Sequence, residues 1–250
     1  MKKKEGLSPN QEKLLSILEF KEKVFVTRKE IEEYIWDHIK VKDRNKLIYG
    51  MIKKQRLIKI MRNKYVVVPI RAINKDWAPN ELEIVNFLME NNKYYFGLGT
   101  AFNLHNFSNQ IPVKLIIFNS KYSFDKKILN NSFKFIKIKK SRLFGFSNTK
   151  FPISDKERTI IDALEYPEYL GGLDSVVDIL KDLKFNQKKL EDYAIKYESI
   201  KIIKLIGFIT NSSKLYHYLE KNKKLYYSSI KGLKKGDKKW KIRPNKIYYL

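Results

Sequence analysis

The side chains that most often carry chemistry are sparse in this sequence. It has three histidines, His38, His105 and His217, and no cysteine. No histidine has a second histidine or a carboxylate pair at ligand spacing, so no metal site is expected. Gly97-x-Gly99 lacks the third glycine and the lysine of a phosphate-binding loop. Asp162 falls in a helical pattern, where a structural hydrogen bond or an interface contact is the expected role. Glu165 and Glu168 flank Pro167 with no nucleophile or base beside them. These patterns predict neither an enzyme nor a bound cofactor. Without cysteine there are no disulfides, thiolate metal sites or cysteine nucleophiles, which fits a reducing cytosol.

The residues whose spacing does suggest a task are cationic. The chain of 250 residues has 52 Lys and Arg against 27 Asp and Glu, a net charge of +25. A surplus of that size points to a polyanionic partner, although a lysine-rich proteome would raise the total as well. Clustering separates the two explanations. From His38 to Lys64 there are ten Lys or Arg residues and one acid, Asp43, while the residues before His38 are nearly balanced. Lys42, Lys46, Tyr49 and Lys53 are spaced at i, i+4, i+7 and i+11, which aligns them on one helix face. Leu47, Ile48, Met51 and Ile52 form the opposite, apolar stripe. Arg44 and Asn45 fall in the first turn, where recognition helices touch base edges.

Several elements must hold that stripe in place. Ser8 and Pro9 open a helix over residues 8–19. Thr27 and Glu30 have capping-box spacing at the start of a second helix, which carries Ile31, Tyr34, Ile35 and Ile39. The third helix is predicted over Lys42–Lys54. The apolar runs RLIKI and YVVVP then flank Arg62-Asn63-Lys64 and read as a β-hairpin that ends at Pro69. Three helices followed by a hairpin is the order of a winged helix-turn-helix, with Arg62, Asn63 and Lys64 at the wing tip. Arg44, Asn45, Lys46 and Tyr49 are the candidate base readers, with Arg or Lys suited to guanine and Asn to adenine. The other cations would contact phosphate. A solvated basic helix on a domain that binds protein is the competing reading.

Residues 74–250 read as a second, mixed α/β domain after a first domain over 1–73. Asp76 or Asn80 could cap a helix carrying Leu82, Ile84, Val85, Phe87, Leu88 and Met89. A short helix near Thr100–His105, a turn through Phe107–Gln110 and a buried strand at Val113–Phe118 follow. In FKFIKIKK, Phe133 and Phe135 share one parity and Ile136 and Ile138 the other. A β-bulge near Phe135-Ile136 would turn all four inward. Ser154 and Glu157 suggest another capping box, with Ile160, Ile161 and Leu164 inward. Helices are predicted at Leu173–Leu183, Gln187–Tyr197, Ile200–Ile209 and Lys214–Lys221. The last twenty residues hold eight basic residues and one acid. They read as a packed basic hairpin or a loose tail, and Trp240 and Ile242 favour packing. The strand Lys134–Arg142 and this C-terminus could form a second anionic site, for RNA, flanking DNA or an acidic protein, or simply a solvated surface.

Taken together, Gln110-Ile111-Pro112, the Phe144-Gly145 corner, the run Ser154 to Asp162, the Gly171-Gly172 turn and the closing KKWKI resemble the AbiEi-type antitoxin family in order and spacing. The resemblance covers most of the chain. It departs from the family pattern at Asn103-Leu104-His105-Asn106 and at Asp155-Lys156-Glu157, which leaves the subfamily and the cognate toxin open. It implies an α+β protein whose N-terminal winged helix binds double-stranded operator repeats and represses its own operon. It also implies a C-terminal domain, with a helical final portion, that counteracts a nucleotidyltransferase-like toxin, with or without a stable complex. The alternatives are a winged-helix regulator with a ligand-sensing C-terminal domain, and a nuclease with a winged DNA-binding module. No leader or membrane span is read in the sequence, so a cytoplasmic protein is expected. The oligomeric state is left open.

Overall fold

The structure is a computed structural model that describes residues 6–72, 77–90, 92–107, 113–181 and 183–245. Helices and strands are mixed, in an arrangement consistent with the α+β class. The chain divides into two compact units. One comprises Met1–Glu90 with Ile128–Asn130, the other Asn91–Lys127 and Asn131–Leu250. The division falls after Glu90 rather than at 73/74.

In the first unit, α1 (Pro9–Phe20) begins as its sequence suggests, with the Ser8 N–H donating to Gln11 Oε1 at 2.9 Å. A three-residue strand, β1 (Phe25–Thr27), follows. It is too short for alternation to reveal and was not foreseen. Thr27 ends the strand and caps α2 (Arg28–His38): Thr27 Oγ1 accepts from the Glu30 N–H, and the Glu30 carboxylate accepts from the Thr27 N–H at 2.8 Å. α3 spans Arg44–Lys53 with Asp43 as its cap, and β2 (Leu57–Met61) and β3 (Lys64–Val67) form the expected hairpin. The sheet order is β1-β3-β2, and both pairs are antiparallel. Leu14, Leu15 and Leu18 of α1, Ile31 and Ile35 of α2, and Leu47, Ile48 and Met51 of α3 fill one core with Val26, Leu57 and Tyr65. Asn80 caps α4 (Glu81–Met89), and Phe87 of that helix packs against Phe25 with ring centroids 5.2 Å apart. This packing explains why α4 belongs to the first unit. Asp76 lies outside the described residues.

The Thr27 cap gives a direct prediction. Thr27→Ala should cost about 1 kcal/mol of unfolding free energy, the usual value of a lost cap. Burial works to raise the Glu30 carboxyl, but its bonds from Thr27 and Lys23 hold it below the ordinary 4.5. A depressed carboxyl stabilises the fold above its unfolded pKa and stops doing so as pH falls through the folded value. Denaturant titrations between pH 6 and 3 should therefore show Glu30→Gln losing less stability on acidification than the parent chain. Equal losses would count against the cap.

The second unit is built on a mixed sheet of β4 (Tyr94–Gly97), β5 (Lys114–Asn119), β6 (Phe124–Ile128) and β7 (Asn131–Lys137), in the order β4-β5-β7-β6. β4 runs antiparallel to β5, and β5 runs parallel to β7. The expected bulge at Phe135-Ile136 is absent, because β5 and β7 stay in one register from Lys114↔Ser132 to Asn119↔Lys137. β7 lies inside the sheet, and residues of both parities, Phe133 and Phe135 on one side and Ile136 and Ile138 on the other, are buried. Ile136 and Ile138 enter the main core, while Phe135 stacks on Phe124 at 4.5 Å. A short helix, α5 (Gly99–Leu104), follows β4; the Gln110-Ile111-Pro112 turn lies outside the described residues.

The rest of this unit is helical: α6 (Lys156–Glu165), α7 (Leu173–Lys181), α8 (Gln187–Tyr197), α9 (Ile200–Thr210) and α10 (Ser213–Lys221). The cap of α6 is Asp155, not Ser154. Asp155 accepts from the Arg158 N–H at 2.8 Å, and the Ser154 hydroxyl bonds Thr159 instead. Glu157 reaches the Asn186 N–H and Lys189, each at 2.9 Å, and so forms no capping box.

The basic C-terminal segment is packed, but not as a hairpin. β8 (Ser228–Lys231) and β9 (Ile242–Asn245) run parallel, joined by a loop in which Asp237 accepts from the Trp240 N–H at 2.7 Å. Trp240 is buried against α9 at Gly207, where an added Cβ would stand 2.1 Å from its ring. The buried Lys204, also on α9, donates to the Tyr226 carbonyl and Ser228 Oγ, and burial pushes its ammonium below the usual lysine range. Gly207→Ala should destabilise this unit by about 1–3 kcal/mol through overpacking. Trp240 fluorescence during urea unfolding would report it, and an unchanged midpoint would refute the packing.

Candidate nucleic-acid interface

The geometry of α3 divides its side chains into two sets. Leu47, Ile48 and Met51 are buried, while Lys46, Tyr49 and Lys53 face solvent. Tyr49 is 68% exposed. Arg44, Lys46 and Lys53 form no ion pair with a carboxylate among the described residues. Arg62 is exposed at the turn between β2 and β3. Exposed, unpaired cations on one rod are what a phosphate backbone recruits.

Four of the nine expected residues sit differently from their expected positions. Lys42 is exposed but precedes the helix, because Asp43 caps it, so it does not continue the line of Lys46 and Lys53. Asn45 is exposed, but its Oδ1 accepts from Arg28 Nη2. Asn63 has a left-handed φ of 60°, and its carbonyl accepts from the Arg28 N–H at 2.8 Å, so its backbone is committed to the turn. Lys64 is spent within the unit: it donates to the Phe87 carbonyl, pairs with Glu90 at 3.2 Å and lies over the Phe87 ring at 4.6 Å. A lysine held by two residues in this way is not a free cation at the hairpin tip.

Sequence reasoning missed two residues next to α3. Trp36, on α2, is 73% exposed, and the Arg44 guanidinium lies 4.6 Å from its ring centroid. Its exposure could have been inferred, since it falls off the Ile31–Ile35 stripe that α2 buries. Arg28 holds Glu32 through Nε at 2.5 Å and Asn45 through Nη2. Nothing in the local sequence signals the second bond, which spans 17 residues.

The second unit contains a buried charged cluster. Arg158 donates to Asp162 Oδ1 through Nε and Nη2 at 3.1 and 2.8 Å, to Tyr95 Oη at 2.6 Å and to the Arg142 carbonyl at 2.8 Å. Tyr95 lies 3.1 Å from Asp162 Oδ2. The rings of Tyr95, Phe144 and Tyr197 surround the guanidinium with centroids 4.9–5.2 Å away. Burial drives the Asp162 carboxyl up against the opposing pull of Arg158. The Tyr95 hydroxyl is pushed well above the usual range by burial and by the adjacent carboxylate. Arg158, Asp162, Tyr95 and Tyr197 are all closed to solvent, so they act on the fold and not on a diffusing substrate. The Phe144-Gly145 corner serves this cluster. Gly145 has a φ of 74°, and a Cβ there would stand 2.9 Å from Arg158 Cβ.

Of the remaining candidates, His38 is exposed at the end of α2, and the other two histidines have backbone partners. His105 Nε2 lies 2.7 Å from the Ser154 carbonyl, and His217 Nδ1 2.8 Å from that of Ser213. Lys134 pairs with Asp125 at 2.5 Å, and Arg142 lies over Tyr197 at 4.0 Å; Lys137, Lys139 and Lys140 are exposed. Among the described residues no group of three or more His, Asp or Glu could hold a metal ion. No helix there is long and apolar enough to cross a membrane.

No known family pattern and no curated protein matches the sequence. Among solved structures, the fold is similar to that of the RV2827C protein from Mycobacterium tuberculosis. The TM-score is 0.67 at 11% identity, over 96% of this chain and 92% of that one. At that identity the likeness concerns the fold alone.

Proposed function

We propose that the protein is a cytoplasmic DNA-binding antitoxin that represses its own operon. In this reading the first unit is a winged helix-turn-helix, α3 its recognition helix and the β2–β3 hairpin its wing. The element order α1-β1-α2-α3-β2-β3 supports it. The observation that carries it is the division of α3 into a buried Leu47–Ile48–Met51 face and an exposed, unpaired Lys46–Tyr49–Lys53 face. A helix so divided can bury one side in its own domain and present the other to a groove.

The second unit is assigned the counteraction of a nucleotidyltransferase-like toxin. The motif resemblance described above supports that assignment, and a non-enzymatic role agrees with the closed Arg158–Asp162 cluster. The test has two parts. Full-length protein is titrated against a duplex from upstream of its own gene and against a shuffled duplex. The adjacent gene is co-expressed with and without it while growth is scored. Preferential binding of the upstream duplex together with growth rescue supports both roles. Equal or absent binding removes the first role, and growth arrest despite co-expression removes the second.

A further inference from the structure

The reading face of α3 contains one residue prepared for a base edge. We propose that Arg44 reads a guanine in the major groove and that Trp36 is the shelf that positions it. This rests on the DNA-binding reading and adds the base that the site selects.

Four observations converge on it. Trp36 leaves 73% of its surface in water, whereas indoles are on average largely buried, and its ring centroid lies 4.6 Å from the Arg44 guanidinium. A guanidinium lying on an aromatic ring is confined to a few rotamers, so less freedom is lost when it binds. Arg44 is the first residue of α3, in the turn that reaches base edges, and no carboxylate among the described residues neutralises it. Its planar fork matches the O6 and N7 acceptors of guanine.

The rival reader is compromised. Reading adenine needs the Asn45 amide to accept from N6 and donate to N7 at once. Its Oδ1 is engaged by Arg28 Nη2, and Arg28 is itself fixed by Glu32 at 2.5 Å. Lys46, an exposed flexible ammonium, is suited to phosphate and does not discriminate between bases in a fixed plane. Tyr49, 68% exposed, has a single hydroxyl and cannot donate to two acceptors at once. Of the four candidate readers, Arg44 therefore combines two donors with a positioned plane.

The test begins with a random-sequence duplex library enriched on the full-length protein. Each enriched guanine is then replaced by 7-deazaguanine, which lacks the N7 acceptor. At one guanine per bound site the parent chain should lose about tenfold in affinity, within the usual worth of a bidentate pair. Arg44→Ala and Arg44→Lys should select without that guanine and be indifferent to the 7-deaza change. Trp36→Ala should lose guanine preference while keeping its melting temperature and its affinity for unrelated duplex, and Trp36→Tyr should restore part of the preference. Enrichment that requires no guanine, or an Arg44→Ala protein with the parental preference, would overturn the inference while leaving DNA binding intact. Failure to retain any duplex would overturn the DNA-binding reading, and the inference with it.

Discussion

Asp162→Ala should lower the unfolding free energy of the second unit by about 3–5 kcal/mol, the cost of leaving a buried charge without its partner. The geometry makes the loss severe. Arg158 sends two of its hydrogen bonds to Asp162 Oδ1, and the three rings around it offer no carboxylate in replacement. Tyr95, whose hydroxyl lies between the two, would lose an acceptor as well. Replacing both members with apolar residues of similar volume, Arg158→Met with Asp162→Leu, should cost clearly less than the two single losses added together. Each single change strands a charge and the pair strands none. Urea unfolding of the single and double variants, followed through Trp240, measures all three values. An Asp162→Ala protein within about 0.5 kcal/mol of the parent would show that the cluster does not stabilise the fold as described, since ordinary surface changes fall in that range.

The paired change Lys46→Ala and Lys53→Ala should weaken duplex binding and change its salt dependence in a calculable way. If each ammonium neutralises one phosphate, the slope of log K against log salt should become shallower by about 1.8, from 0.9 per contact. Both side chains are exposed, so the unfolding free energy should move by no more than about 0.5 kcal/mol. Affinity should fall alike on all duplexes, because phosphate carries no sequence. This pattern separates the pair from Arg44, whose loss should act on sequence preference. A slope unchanged within error would remove α3 from the interface even if the protein still bound DNA elsewhere, for example through the exposed Lys137, Lys139 and Lys140.

Much of the local structure could be read from residue order. The Thr27–Glu30 capping box, the Ser8-Pro9 start, the β2–β3 hairpin and the span of α8 follow from neighbours three or four residues apart. At that range chain geometry alone brings side chains together. α9 and α10 differed from expectation by a residue at one end, where helix boundaries are loosest. The α3 stripe was legible for the same reason, and with it Lys46, Tyr49 and Lys53.

Other features were illegible because their causes lie far along the chain. β1 exists because β3 offers it a partner, with Phe25 opposite Val66. The FKFIKI pattern implies a bulge only if one face is buried, whereas β7 buries side chains of both parities. Ser154 and Asp155 are both good caps, so local order offered two equal solutions; Asp155 caps the helix, and the Ser154 hydroxyl bonds Thr159, five residues on. Arg158 looked like one more cation in a basic chain until Tyr95, 63 residues earlier, closed over it.

The sequence by itself determined most helix starts to within a residue or two, which faces are greasy, and that positive charge gathers between His38 and Lys64. Only the tertiary structure decided which of those charges remain available. Lys64 is consumed by Phe87 and Glu90, Asn45 is engaged by Arg28, and Arg44 rests on Trp36, its charge still unpaired. Periodicity specifies the direction in which a side chain leaves its helix, but the availability of its hydrogen bonds depends on groups that reach it only after folding.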